Sequence, residues 1–298
     1  MTTRYSQAQE RVSEYSQLSA WSTARRADRW RVLYGAAVAV LVLVSYALGA
    51  LHWLPRDPEA MDLQAMLLGP IEQGYLLGTD FMGRDILTRL ILGIQAYFLP
   101  GLLSIAIALT LGALLGVLAG YRGGRAEMGV TYLSNLVDSM PRLVLMLLVI
   151  AAFKPGIYTI MAVVGLTTAP TVATLVKGKV LMLKARNFIE SAVALGVPPR
   201  AIVFRHILWY NCRTLLLIQA TLGMAEAVLI ETSLSYLGFG VQEPTPSWGN
   251  MVQAGANYLL QGNLWVSSAP ALAILATVLG FHLLGDGLNN MFEGGQRR

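Results

Sequence analysis

Leu33–Leu54 contains no Asp, Glu, Lys or Arg, and runs of the same kind recur at Phe98–Tyr121, Ile157–Val176 and Ser267–Leu284. The hydrocarbon core of a bilayer, ~30 Å thick, takes about 20 apolar residues wound as a helix. Each run is long enough to cross it. Two further apolar stretches carry isolated charges: Met128–Phe153 holds Asp138 and Arg142, and Leu215–Leu237 holds Glu226 and Glu231. Inside lipid every backbone N–H and C=O must be paired within the protein, which leaves only helices or a closed barrel. Barrel strands alternate in polarity, and these runs do not. The expectation is an all-α membrane protein with six transmembrane helices. Charged residues are 13% of the chain, against roughly 25% in soluble domains.

The net charge of +5 is no nucleic-acid footprint, because the cations gather beside the apolar runs. Arg25, Arg26, Arg29 and Arg31 precede the first run; Lys177, Lys179, Lys184 and Arg186 follow the fourth; Arg297-Arg298 ends the chain. Positive segments stay inside, so both termini are expected in the cytoplasm. The chain then divides into a cytoplasmic tail with an interfacial helix (1–32), a first span (33–54), an extracytoplasmic loop (55–97), a core with five spans and the loop 185–208 (98–286), and a cytoplasmic tail (287–298). His52, Trp53 and Pro55 mark the outer end of the first span, and Lys154-Pro155-Gly156 is an outer turn. Pro170 predicts a kink in the fourth span. The second span is rich in small residues, among them Gly101, Ser104, Gly112 and Gly116, which permit close helix packing. Residues 1–30 are polar, so no cleavable signal peptide is expected. Cys212 is the one cysteine, and His52, His206 and His282 lie too far apart to suggest a metal site.

Ala185–Leu208 is the longest amphipathic segment. Arg186, Glu190, Arg200 and Arg205 interrupt an apolar side formed by Phe188, Ile189, Ala192, Leu195, Ile202, Val203 and Ile207. Gly196 predicts a left-handed helix end, and Pro198-Pro199 a restart. Two short helices joined by a tight turn, hung between spans, form either a docking element for a soluble partner or a connector lying on the membrane surface.

Glu190-Ser191-Ala192, Gly196, Ile202 and His206-Ile207-Leu208 resemble the EAA loop of permease subunits in ATP-binding-cassette importers. In that family the loop seats in a groove on the cytoplasmic ATPase subunit. The resemblance therefore implies ATPase-coupling roles for Glu190, Ser191, Ala192, Gly196, Arg200 and His206. Ser191 replaces the commoner Ala, and Trp209-Tyr210 stands where the family has a single Pro before Asn211, a one-residue insertion. Four other strings fall in the family's order: GTDFMGRD (Gly78–Asp85), QATLG (Gln219–Gly223), PTPSWG (Pro244–Gly249) and LLGDG (Leu283–Gly287). The chain is similar to the second permease of a dipeptide, oligopeptide or nickel-type importer, with the type I importer permease fold. The resemblance implies a bacterial inner-membrane subunit paired with a homologous permease, two cytoplasmic ATP-binding subunits and an extracytoplasmic substrate-binding protein. ATP and Mg would sit on the ATPase partners, with no cofactor on this chain. The cargo is not legible: peptides, nickel chelates, glutathione and oligosaccharides are all carried by such permeases.

Polar residues within or beside the membrane are the remaining candidates. Gln219, Glu226 and Glu231 in the fifth span either line a translocation path or tie helices together. Where the family has Asp, this chain has Asn135; Asp138 either substitutes for it or pairs with Arg142. Thr79 or Asp80 is expected to cap a helix carrying Ile86, Leu90 and Ile94 on one face. Asp80, Arg84, Asp85, Pro246 and Trp248 are candidates for an outer vestibule that meets the binding protein; alternatively the charges only pair and cap, and Trp248 is an interfacial anchor. No phosphate loop is present, so no P-loop ATP site is expected here. Two other classes remain: an ion-coupled transporter using Glu226 or Glu231, and an intramembrane hydrolase using Ser233 with His282.

Overall fold

The computed structural model describes residues 28–153 and 156–296, with side chains through residue 292. The polar tail at 1–27, Lys154-Pro155 and Arg297-Arg298 lie outside the described residues. Among the described residues the regular elements are helices, with one isolated bridge between Thr79 and Asp85. Helix α1 is Asp28–Ala50. An irregular segment leads to α2 (Ile86–Gly93), which a short turn joins to α3 (Phe98–Arg122). Then come α4 (Gly124–Asp138), α5 (Arg142–Phe153) and α6 (Ile157–Lys184). The loop region holds α7 (Asn187–Ala194) and α8 (Pro199–Ala201). A π-wound stretch, Ile202–Cys212, carries α8 into α9 (Arg213–Tyr236). Helices α10 (Trp248–Leu259) and α11 (Trp265–Gln296) complete the chain.

Five stretches are long and apolar enough to cross a membrane, and six if α4 and α5 count as one. The third span expected at Met128–Phe153, with its interruption at Asn135, Asp138 and Pro141-Arg142, is broken after Asp138, with α4 and α5 bent by 82°. Pro141 sits at the break: it has no N–H for the helical ladder, and its ring disfavours helical backbone at Met140. Pro170 lies within α6, which continues through it to Lys184, beyond the end expected at Val176.

The body of the fold is α3 lying along α6. Gly112, Gly116 and Gly120 recur every fourth residue and so share one face of α3. They meet Val172, Val176 and Val180, spaced the same way on α6. A methyl group built on Gly116 would stand 2.5 Å from the Ala173 carbonyl oxygen; one on Gly112 would stand 2.6 Å from Val172 Cβ, and one on Gly120 2.7 Å from Val180 Cβ. Only glycine permits this approach. Helix α9 packs on α3 and on α11, α10 braces both α9 and α11, and α1 lies against α11 through Gly35 and Gly280.

This packing sorts the connections onto two faces. Tyr121 and Arg122 at the end of α3 line one groove with Pro199 and Arg200 of α8. At the other end, Arg89 meets Glu243 and the Trp248 indole meets Leu90.

Gly116→Ala should destabilise the purified chain in detergent by about 1–3 kcal/mol through overpacking. Gly129→Ala, on α4 with no atom within 4 Å of the added methyl, should be neutral or stabilising by up to about 1 kcal/mol. Thermal unfolding compares the two, and equal effects would show that the missing side chains do not set the α3–α6 contact.

Candidate functional site

The loop after α6 is closed by backbone geometry. Gly196 has φ +74°. The N–H of Val197 bonds the carbonyl of Ala192 and that of Gly196 bonds Val193, each at 3.0 Å. This double closure requires a left-handed residue at the helix end. No atom lies within 4 Å of a methyl placed on Gly196, so conformation rather than space selects glycine. Pro198 is extended and Pro199 opens α8.

One side of the loop is welded to the bundle. Ile189, Ile202 and Ile207 are buried in the same apolar cluster as Val117, Val176, Val180 and Leu183. The single apolar side expected from the sequence is split. Phe188 and Leu195 point outward, 45% and 83% exposed. Phe188 sits ~100° around the helix from Ile189, and Leu195 falls in the turn, past the buried stripe. Glu190, Ser191 and Arg200 are exposed beside them, while Ala192 and His206 are half-buried. The insertion at Trp209-Tyr210 is taken up by the π-wound stretch, whose turns each hold an extra residue. Within it the Asn211 amide donates to the His206 carbonyl at 2.6 Å.

Gln219 and Glu226, two turns apart on α9, line one narrow crevice with Ser104, Thr168 and Gly223. Arg142 forms an ion pair with Glu226, linking α5 to α9. Arg142 also reaches Thr171 at 3.5 Å, and Thr171 donates to Asp138 at 3.3 Å. The direct Asp138–Arg142 pair considered from the sequence is therefore not formed. The bend before α5 aims Arg142 at α9, and Thr171 stands between. Glu231 is not in the crevice: five residues beyond Glu226 it points ~140° away around α9. It is fully buried, with one carboxyl oxygen accepting from Ser235 at 2.6 Å and the other unpartnered. Ser233 donates to the Leu229 carbonyl, and His282 is exposed.

On the opposite face, Asp85 and not Thr79 or Asp80 caps α2, accepting the Thr88 N–H at 3.0 Å. Thr79 donates to the Ala65 carbonyl and accepts from the Leu68 N–H at 2.9 Å. Asp80 accepts from the Met82 and Arg84 N–H groups and from Arg84 Nε at 2.7 Å. Arg84 and Arg89 are almost wholly buried and share Glu243, at 2.8 Å from Arg84 Nη1 and 2.9 Å from Arg89 Nη2. Burial alone would lower the pKa of Arg84; Asp80 and Glu243 more than reverse this and hold it above its ordinary value. Ser247 and Asn250 form a capping box on α10. The Trp248 indole donates to the Leu90 carbonyl at 2.9 Å and its ring packs on Tyr97. Asp80, Arg84, Asp85, Pro246 and Trp248 are all buried. They brace the segments before α2 and α10 from within, and none of the five is presented on the surface of the chain.

Residues 112–298, more than half of the chain, match a family described as "Binding-protein-dependent transport system inner membrane component". The chain belongs to this family. It is 35% identical over 258 residues to the "Probable D,D-dipeptide transport system permease protein DdpC" of Escherichia coli, covering 86% of each chain. To the "Glutathione transport system permease protein GsiD" of Pectobacterium atrosepticum it is 34% identical over 271 residues, 90% of this chain and 89% of the other. To the "Oligopeptide transport system permease protein OppC" of Haemophilus influenzae it is 32% identical over 292 residues, 96% and 93%. It is thus a multi-pass permease subunit of an ATP-binding-cassette importer, a transport component and not an enzyme.

Three features of this permease escaped sequence reasoning. Arg89 and Glu243 lie far apart in the chain, and no local pattern pairs them. Gly120 continues the glycine stripe, and Val172, Val176 and Val180 match it; both four-residue periods are visible in the sequence, but only neighbouring helices give them meaning.

Arg89→Ala should lower stability by about 3 kcal/mol or more, because it breaks a buried charge network. Glu243→Gln should have a smaller effect, since the Glu243 side chain is 39% exposed. Thermal unfolding of the purified permease tests the order; a larger loss for Glu243→Gln would contradict the brace.

Proposed function

We propose that the chain is the second permease of an importer for short peptides, driven through the Ala185–Leu208 loop. The cargo class follows from the relatives, whose names specify D,D-dipeptide, glutathione and oligopeptide transport. The observation that carries the coupling role is the division of the loop: Ile189, Ile202 and Ile207 lock it to α3 and α6, while Phe188, Leu195, Glu190 and Arg200 remain free for a partner. In this reading the partner is one of two cytoplasmic ATPases that carry ATP and Mg. A homologous permease completes the path, and an extracytoplasmic binding protein delivers cargo. The loop face is cytoplasmic because Arg122, Arg125, Lys184, Arg186, Arg200, Arg205 and Arg213 gather on it.

The geometry gives the mechanism its steps. Closure of the ATPases pushes on the exposed loop residues, with Glu190 and Arg200 holding register and Ser191 and Ala192 seating α7. Because the loop is packed into the α3–α6 core, the push moves those helices as one body. The crevice of Gln219 and Glu226 lies between α3, α6 and α9, so that movement reshapes it. Arg142–Glu226 is the polar contact placed to change along the path. Glu231 stays outside the crevice, bonded within α9 to Ser235 one turn on. His206 stays with the π-wound stretch that links the loop to α9. On the outer face Asp80, Arg84, Asp85, Pro246 and Trp248 hold the platform that the binding protein meets, with Glu243 at its edge.

Gly196→Val forces a β-branched residue into left-handed backbone, at a cost of about 1–3 kcal/mol confined to the turn. The variant is expected to reach the membrane at normal levels and to lose ATP-driven peptide uptake severalfold; unchanged uptake in vesicles would count against the coupling role. Leu195→Cys provides the topological test, because the one native cysteine, Cys212, is buried. An impermeant maleimide should label it only in inside-out vesicles, and bound ATPase should protect it. Labelling in right-side-out vesicles would refute the orientation.

A further inference from the structure

A groove of about 320 Å³ opens between the end of α3 and the stretch that begins with α8. Leu114 and Leu118 form one wall, Val203 and Phe204 the other, and Tyr121, Arg122 and Arg200 stand at the mouth. Leu114 precedes Arg122 by two turns, about 12 Å along a helix. The walls therefore run from the interface into the hydrocarbon depth that α3 spans. Leu114 and Phe204 remain 49% and 57% exposed, so among the described residues none fills the groove. Lys184 stands at the mouth as well: its ammonium donates to the Tyr121 carbonyl at 3.0 Å and lies 5.7 Å from the Tyr121 ring. No carboxylate lines the groove, and among the described residues neither Arg122 nor Arg200 is paired with one.

We propose that this groove binds an anionic phospholipid from the leaflet on the loop face. The mouth offers unpaired cations to a phosphate, and the walls offer a hydrocarbon slot continuous with it. A soluble protein could cover the mouth but could not follow the walls into the bilayer. A zwitterionic lipid would fill the walls but bring its own cation to the arginines. With an anionic headgroup between Arg122 and Arg200, and its chain between Leu118 and Phe204, the lipid clamps α3 to the segment that carries the loop. The site shares Arg200 with the proposed ATPase contact but includes none of Phe188, Glu190 and Leu195.

The test reconstitutes the full chain in nanodiscs of phosphatidylcholine containing a minority of phosphatidylglycerol, then measures retained lipid by native mass spectrometry. Wild type should retain phosphatidylglycerol well above its share of the bilayer. Arg122→Gln with Arg200→Gln should reduce that preference about tenfold or more, and Arg122→Lys with Arg200→Lys should keep most of it. Leu118→Trp fills the slot, leaves both cations and should also lose the lipid, which separates a tail-and-head site from a phosphate held by charge alone. Thermal unfolding in pure phosphatidylcholine checks that each variant is folded, and the comparison of two lipids on wild type needs no variant. Equal retention of both lipids by wild type, an undiminished preference after the Gln substitutions, or displacement by inorganic phosphate or by an ATPase subunit would overturn the site.

Discussion

Helices in a bilayer gain little by hiding apolar surface from one another, because the surrounding lipid is as apolar as leucine. What holds α3 to α6 must therefore be close packing, and the Gly112–Gly116–Gly120 stripe against Val172, Val176 and Val180 supplies it. The consequence reaches both ends of the molecule. Helix α3 is continuous in direction with α2, which carries the outer segment, and α6 runs into the loop that carries α7. Fixing two long rods along one stripe fixes the relative placement of the two faces, and every polar site described above lies at an end or a side of that pair.

At the loop end the same packing continues. Ile189, Ile202 and Ile207 extend the α3–α6 core across the turn at Gly196, so α7 is an outgrowth of the bundle and not a tether hung from it. The π-wound stretch then delivers the chain into α9 in register with the crevice, although it contains the extra residue at Trp209-Tyr210. A loop of this kind transmits displacement because its own internal contacts are backbone closures and buried aliphatics, which do not rearrange without being broken. The proposed coupling role of the loop depends on that stiffness more than on any single exposed side chain.

The opposite end is built differently, from charge. Arg84 and Arg89 are buried and would be costly alone; Asp80 and Glu243 compensate them, and the cluster pins the segment before α2 to the one before α10. Trp248 completes the junction from the apolar side. This end is in this way a folded platform in which Asp80, Arg84, Asp85 and Arg89 are buried while Arg56, Asp57, Glu59, Asp62 and Glu72 stay exposed.

Much of this was legible in the residues themselves. The apolar runs announce membrane helices because bilayer thickness and helical rise set a length that local sequence must meet. Gly196 and Pro198-Pro199 announce the turn because each restricts its own backbone. Pro141 lies within the interrupted third run for the same reason, although the size of the bend does not follow from it. What the sequence could not decide was which helices become neighbours, and the misplaced partners trace to that. Arg142 chose Glu226 over Asp138, Trp248 turned inward to Leu90, and Phe188 and Leu195 turned away from a core that claimed only Ile189. Local chemistry determined where this chain is helical and where it turns. The partners of its polar groups were decided only by tertiary packing, because an ion pair or a buried face depends on distances between segments that the chain places far apart.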